Sequence, residues 1–301
     1  MKIFHISDLH LCKLYKRNNI IKTRKLLKHF VENKYDHLVI TGDISDNGNP
    51  EDWVYLRKLL LSYGIYDKNL VTLTIGNHDI YGGVQTALDI LSFPSRCLNT
   101  DYLLKVKQFY NVFADLFIGS SASFPNLFPV LKVVNDVAFI VINTIDFYGK
   151  ILNPFASNGK VSSTDYSNIS GILNNPLIKD KVKIILSHHH FYKNNVESTS
   201  SYSSIWNSIE KHTMKLRGKK KLIKLFSKGN INFVLHGHSH ELKSYERKNI
   251  LFSNAGAAID NLNDNLCSGI LINTISANIE PINIHLSEDL PFYSLKPVYN
   301  Y

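Results

Sequence analysis

Five short apolar runs in this chain each end on side chains that bind metals, and that recurrence narrows the folds open to it. Lys2–Ser7 leads into Asp8 and His10, and Leu38–Thr41 leads through Gly42 into Asp43. Val71–Gly76 leads into Asn77 and His78, Lys183–Ser187 into His188, and Ile231–Gly237 into His238 and His240. Short, mostly apolar runs bounded by polar loops read as buried strands of a parallel sheet. Ligands in open α/β sheets bind beyond the carboxyl ends of the strands. Five runs that end alike would gather their acids, amide and imidazoles at one edge, with Asp43 in the middle.

The segments between the runs support this. Residues 18–33 place Ile20, Ile21, Leu26, Leu27, Phe30 and Val31 near helical spacing, and residues 50–62 do the same with Trp53, Leu56, Leu59 and Leu60. Strand, helix, strand, helix, strand is the opening of an α/β domain. Residues 105–117 read as a helix. Residues 130–134 and 137–143 flank Asn135-Asp136 and read as a hairpin. Residues 153–163 read as a surface loop, with Thr164 capping a helix to about residue 174. Residues 192–202, polar and rich in serine, read as a mobile loop beside the site. Residues 218–228 read as a basic helix. Closing strands are expected at 250–253, 269–274 and 279–285, and these could form a second sheet. No boundary divides the chain, so one domain over 1–301 is expected, with 276–301 as closing strand and tail.

Composition constrains the setting. A chain that is 44% hydrophobic and 20% charged reads as globular, and no apolar run approaches the roughly 20 residues of a membrane helix. The first strand begins at residue 2, so no signal peptide is expected. Cys12, Cys97 and Cys267 have no pattern, so reduced thiols and a cytoplasmic location are expected. Cys12 lies two residues past His10, but a packing role fits it better than ligation. The net charge of +9 suits an anionic partner, a phosphate ester or nucleic acid. An overall bias toward Lys, Asn and Ile explains it equally well. The stretch Lys215–Lys221 could touch nucleic acid; Leu222, Ile223, Leu225 and Phe226 instead mark a helix with an ordinary buried face and a solvated basic one.

The candidate ligands are Asp8, His10, Asp43, Asn77, His188, His238 and His240. Carboxylates and imidazoles suit Zn, Mn, Fe or Ni, and the lack of cysteine argues against a structural zinc finger. Seven are too many for one tetrahedral ion. They suit two ions on the order of 3.5–4 Å apart that share a carboxylate. Two divalent ions against two carboxylates and a hydroxide leave a net positive charge, which attracts phosphate. Each motif alone is weak, because Gly-Asn-His-Asp also makes turns and His-rich turns occur without metal. Their joint occurrence, each after an apolar run, carries the reading.

In that order the motifs resemble the calcineurin-like metallophosphoesterase superfamily: D-x-H, G-D, G-N-H-[DE], a histidine after a strand, then G-H-x-H, spanning residues 8 to 240. Ser7–Leu11 and Gly159–Ser162 resemble its cyclic-nucleotide phosphodiesterase-like branch. The resemblance implies an α/β fold of four layers, an αββα sandwich of two mixed β-sheets flanked by helices. It implies that Asp8, His10, Asp43 and His240 hold one metal and Asp43, Asn77, His188 and His238 the other, with each ion divalent or trivalent. It further implies that His78 faces the substrate and protonates the leaving oxygen while Asp79 orients it, and that a hydroxide held between the metals attacks phosphorus in line. Asn77, His78 and His189 would touch the substrate. His188-His189-His190 departs from the family, which often has proline after the second histidine. His188 is taken as the ligand because it comes first, with His189 and His190 lining the mouth. His5, His29, His37, His212, His236 and His285 are read as structural or surface. The expected activity is hydrolysis of small phosphodiesters such as cyclic nucleotides. The alternatives are a DNA-processing nuclease of the same superfamily and a non-catalytic metal-binding scaffold.

Overall fold

The structure, a computed structural model, describes residues 1–84, 87–122, 127–192, 214–256, 258–259 and 265–286. The amino-terminal half runs β1 (Lys2–Ile6), α1 (Arg17–Glu32), β2 (His37–Thr41), α2 (Pro50–Ser62), β3 (Val71–Thr74), α3 (Asn77–Tyr81), α4 (Ala87–Asn99) and α5 (Tyr102–Val112). Then come β4 (Ser121–Ala122), β5 (Val130–Val134), β6 (Val137–Val141), β7 (Gly159–Lys160), α6 (Ser163–Leu173), β8 (Val182–Leu186), β9 (Leu216–Arg217) and α7 (Lys219–Lys228). The chain closes with β10 (Phe233–His236), β11 (Leu242–Arg247), β12 (Ile250–Ala255), β13 (Leu266–Asn273) and β14 (Asn278–His285).

Two mixed sheets form. The first has the order β14-β13-β1-β2-β3 and the second β11-β12-β10-β8-β6-β5-β4, with β7 and β9 pairing separately. Strands β1, β2 and β3 run parallel, as do β6, β8, β10 and β12. Period-two alternation decides the layers. Phe139, Val141, Ile184, Leu186, Phe233 and Leu235 point inward and share one core with β1, β2 and β3 and with α1, α2 and α5. Their neighbours Ala138, Ile140, Ile185 and Val234 point outward and pack with Ile169 of α6 and Leu222, Ile223 and Phe226 of α7. Helix, sheet, sheet, helix is the resulting sandwich.

Polar side chains cross between the sheets inside that core. His5 on β1 meets Ser253 Oγ on β12 at 3.0 Å and Thr41 Oγ1 at 2.9 Å. Lys132 on β5 donates to the Val71 carbonyl at 2.6 Å. The ring of His37 stacks on Phe139 at 4.5 Å. His5, His37 and His236 are all buried, as the structural reading requires.

Several expectations need correction. The helix expected at 105–117 begins at Tyr102 and gives way to a 3-10 turn at Ala114–Phe117. The cap of α6 is Ser162, which accepts from Asp165 N, not Thr164. Strands β13 and β14 extend the first sheet on the far side of β1 rather than forming another. Residues 153–163 are no simple surface loop, since Asn153, Ala156 and Asn158 are buried and β7 lies within them. The expected mobile loop at 192–202 lies outside the described residues beyond Tyr192. So do His212 and the tail from 287 onward. Among the described residues no helix is long and apolar enough to cross a membrane.

Candidate metal centre

Register places the site. Thr41 pairs with Thr74 in parallel, so the turns after β2 and β3 leave the sheet side by side, carrying Asp43 and Asn77. Leu186 pairs with Leu235, and Gly237 N donates to the His188 carbonyl at 3.0 Å, which brings the His188 and His238 turns together. The first sheet adds Asp8 and His10 from the turn after β1. All seven candidate ligands converge.

Backbone conformation in these turns is unusual. Asp8, His10, Asp43, His238 and His240 all have positive φ, between 42° and 75°. Such conformations are uncommon for residues other than glycine. Two glycines make room beside them. A Cβ on Gly76 would occupy the space of the Asp43 carboxylate, and one on Gly237 would overlap Ser7 Oγ and Asp8 Oδ2.

The ligand atoms form two clusters around Asp43. In one, His188 Nε2 lies 3.2 Å from Asp43 Oδ2, 3.0 Å from Asn77 Oδ1 and 3.1 Å from His238 Nδ1. In the other, His10 Nε2 lies 3.2 Å from His240 Nε2 and 4.0 Å from Asp43 Oδ2, with Asp8 Oδ1 3.8 Å from His240 Nε2. The remaining Asp43 oxygen, Oδ1, accepts from the backbone N of His78 at 2.8 Å. Asp8 accepts from the backbone N of His238, 3.0 Å from Oδ2. Asp8, His10 and His240 can hold one ion, and Asp43, His188 and His238 another.

Outward bonds set the ring tautomers. His188 Nδ1 faces the Thr41 carbonyl at 2.8 Å, and His238 Nε2 faces the Ser157 carbonyl at 3.0 Å. A carbonyl only accepts, so these nitrogens carry protons, and the inward nitrogen of each ring presents a lone pair whenever that ring is neutral. Four acceptors then face one another: His188 Nε2, His238 Nδ1, Asn77 Oδ1 and an oxygen of Asp43. Such a set repels itself unless a proton or a metal cation sits among them, and this donor set fits the divalent ions named above. Without a metal ion the local field places a proton, and so a positive charge, at that same spot. Burial works against a charge on His188, yet Asp43 and Asp8 raise it to about 9. Burial would likewise push Asp43 up, but His188, His78 and His10 hold it well below the usual carboxylate range.

Neighbouring residues divide into supports and one half-buried histidine. His78 Nδ1 lies 3.0 Å from the Asp46 carbonyl, and its ring packs edge-on against His10 at 4.6 Å. Burial lowers its affinity for a proton, while Asp43 and Asp46 oppose that. Asp79 does not reach the His78 ring in the bonds it makes. It accepts instead from Ser45 N at 2.8 Å, Gly76 N at 2.9 Å, Ile44 N at 3.3 Å and Trp53 Nε1 at 2.9 Å, so it fastens two ligand turns together. Burial, then the Asp43 charge, raises Asp79 to about 6. His189 does not line the mouth. It is fully buried, with Nδ1 on Thr144 Oγ1 at 2.9 Å and Nε2 on the Ser157 carbonyl at 3.1 Å. His190 is buried as well.

Sequence reasoning passed over Asp46 as loop punctuation. Its carboxylate is buried, with Oδ1 3.3 Å from His10 Nδ1 and 2.9 Å from Lys16 Nζ, and Oδ2 accepting from Tyr15 at 2.9 Å. His10 and Lys16 outweigh the effect of burial and hold it well below its ordinary range. The available signal was its position three residues past Asp43 in the same turn.

The profile of the calcineurin-like phosphoesterase family matches residues 1–242. Among solved structures, a dimetal phosphatase from Danio rerio is similar at 11% identity and a TM-score of 0.56, over 95% of this chain and 99% of that one. A purple acid phosphatase from yellow lupin (Lupinus luteus) seeds is similar at 12% identity and a TM-score of 0.52, over 95% of this chain and 53% of that one. At these identities the likeness is one of fold. No curated protein sequence matches the chain.

Proposed function

The chain belongs to the calcineurin-like phosphoesterase family, and from that premise we propose that it hydrolyses small phosphodiesters, cyclic nucleotides among them, at a centre of two metal ions. The whole of 1–301 is read as one such domain. In this reading Asp8, His10, Asp43 and His240 hold one ion and Asp43, Asn77, His188 and His238 the other. When bound, the ions supply Lewis acidity at the phosphate and the water-derived nucleophile.

The protein's own groups supply the rest. Donation from His78 Nδ1 to the Asp46 carbonyl leaves Nε2 as the nitrogen that can meet a substrate oxygen. A proton held there can pass to the leaving alkoxide, an effect worth roughly 10²–10⁴-fold. Asn77 Oδ1 is committed to the cluster, so its amide is the part left for a phosphate oxygen. Asp79 and His189 act on backbone and neighbouring side chains and keep the ligand turns in place.

The observation that carries this reading is the convergence of Asp43 Oδ2, Asn77 Oδ1 and His238 Nδ1 on His188 Nε2 within 3.2 Å, where a metal ion can take the place of the proton that His188 holds in the metal-free chain. The test is turnover of bis-p-nitrophenyl phosphate and p-nitrophenyl phosphate with Mn²⁺, with Asp43→Asn as control. We expect metal-dependent hydrolysis that favours the diester and is lost in the variant. Metal-independent turnover, or none with any divalent ion, would overturn the proposal, and preference for the monoester would overturn its diester part.

A further inference from the structure

A turn between β6 and β7 carries aliphatic side chains where a surface turn ordinarily carries polar ones. Asn153 N donates to the Gly149 carbonyl at 2.8 Å and Gly149 N to the Asn153 carbonyl at 3.4 Å, so Lys150, Ile151 and Leu152 form the tip. Ile151 is 90% exposed and Leu152 67%. The tip is braced from below. Asn153 Nδ2 donates to the Phe147 carbonyl at 3.1 Å, and the Leu152 carbonyl accepts from Asn158 Nδ2 at 3.1 Å and from the Arg217 guanidinium. Aliphatic side chains scattered singly over a surface need no explanation. These two are adjacent, and they are continued by Phe147, 61% exposed in the same turn, and by exposed Leu103 of α5, which shares a cavity wall with Phe147.

Cations surround this apolar tip. Lys150 stands on it and is exposed. Lys160 of β7 is the register partner of Arg217 of β9, so the two side chains leave that small sheet on one side. Lys160 also lies on the cavity wall with Phe147. Leu216 is buried, so its neighbours Lys215 and Arg217 point outward. The run continues into α7, and residues 215–228 contain seven Lys and Arg with no Asp or Glu. Acids on this face are fewer. Asp146 stands 3.7 Å from Arg217, and Asp165 accepts from Ser162 Oγ at 2.7 Å.

We propose that this face docks on an anionic phospholipid bilayer, with Ile151 and Leu152 entering the interface and Lys150, Lys160, Lys215 and Arg217 meeting the lipid phosphates. A surface that lies on a membrane without crossing it needs both parts, apolar area for the acyl boundary and positive charge for the headgroups. A nucleic acid would use the cations and leave the aliphatic tip in water. The braced turn also runs straight into the metal centre, because the Ser157 carbonyl a few residues on faces His189 Nε2 and His238 Nε2. Docking therefore brings that centre to the lipid surface. The proposal goes beyond the hydrolytic reading and does not rest on it.

Sedimentation with vesicles tests it, using the full chain treated with chelator so that no metal ion bridges protein and lipid phosphate. The vesicles are phosphatidylcholine alone, and phosphatidylcholine mixed equally with phosphatidylserine. We expect binding to the mixed vesicles, about tenfold or more weaker binding to the neutral ones, and a decline as salt rises. The double variant Ile151→Ser with Leu152→Ser should weaken binding by about tenfold or more, and Lys150→Glu by about tenfold. All three positions are on the exposed tip, so both variants should melt with the parent. No binding to the mixed vesicles overturns the proposal. So does binding that the double variant leaves unchanged, which would be adsorption by charge alone. A single-stranded oligonucleotide that binds where vesicles do not, and equally to the double variant, would give the basic face to nucleic acid instead.

Discussion

Asp46 shows how much of the centre depends on a side chain outside the ligand set. The candidate ligands themselves sit on strained backbone. Five of the seven have left-handed φ, a conformation that costs an L-residue about 1–2 kcal/mol. Strain of this kind persists only where surrounding contacts over-determine it. For His10 those contacts are the backbone bond from its N to the Asp43 carbonyl at 2.9 Å and the Asp46 carboxylate at its outer nitrogen. Removing the charge while keeping the shape should therefore free the ring. Asp46→Asn is expected to weaken Mn²⁺ binding at the His10 cluster by about 10–100-fold and to leave the His188 cluster near its parental affinity. Calorimetric titration would show one of two binding steps shifted. Equal weakening of both steps, or of neither, would mean that Asp46 is not specific to His10.

At the scale of elements, the stretch between β6 and α6 matters more than its composition suggests. The Ser157 carbonyl receives both His189 Nε2 and His238 Nε2. Asn158 holds this stretch in place: its Oδ1 accepts from Lys215 N at 3.0 Å, and its Nδ2 donates to the Leu152 carbonyl at 3.1 Å. Asn158→Ala would leave two backbone groups to find new partners, at about 1–3 kcal/mol for each that stays buried and unmet. We expect a lower melting temperature and weaker metal binding at the His188 cluster, because the ring of His238 loses its tether. Unchanged metal affinity alongside a lower melting temperature would confine Asn158 to stability. None of this was legible beforehand, because Asn, Ser and Gly read as surface loop when burial comes from long-range packing. The same limit hid β11, an exposed edge strand of mixed polarity with no apolar alternation, and α4, which contains Pro94. The central strands and α1 and α2 were legible, since their apolar spacing reflects burial on both faces or on one. The convergence of the seven candidate ligands was legible because each follows such a strand.

For the whole molecule, the question is what joins the two sheets, and part of the answer is pH-dependent. Apolar side chains fill most of the interface, yet His5 spans it to Ser253, and His37 lies against Phe139 of the opposite sheet with its Nε2 2.8 Å from Thr72 Oγ1. Burial lowers His5 to about 3, and burial together with nearby Lys132 lowers His37 to about 3. Both rings are neutral in the native protein across the range where the unfolded chain takes up protons, below about 6.5. Between about 6.5 and about 3 the unfolded state binds more protons, so stability falls as pH falls, by about 1.4 kcal/mol per pH unit for each ring. Above about 6.5 neither ring contributes a slope. Urea unfolding of chelator-treated protein at pH 7.5 and pH 5.0 should show a clear drop in midpoint. His37→Gln keeps a polar side chain and removes the titration, so it should reduce that drop while costing some stability at pH 7.5. A drop of the same size in the variant would show that His37 is already charged in the folded protein, and the core between the sheets would then have to admit a cation that its apolar walls and hydrogen bonds leave no room to solvate.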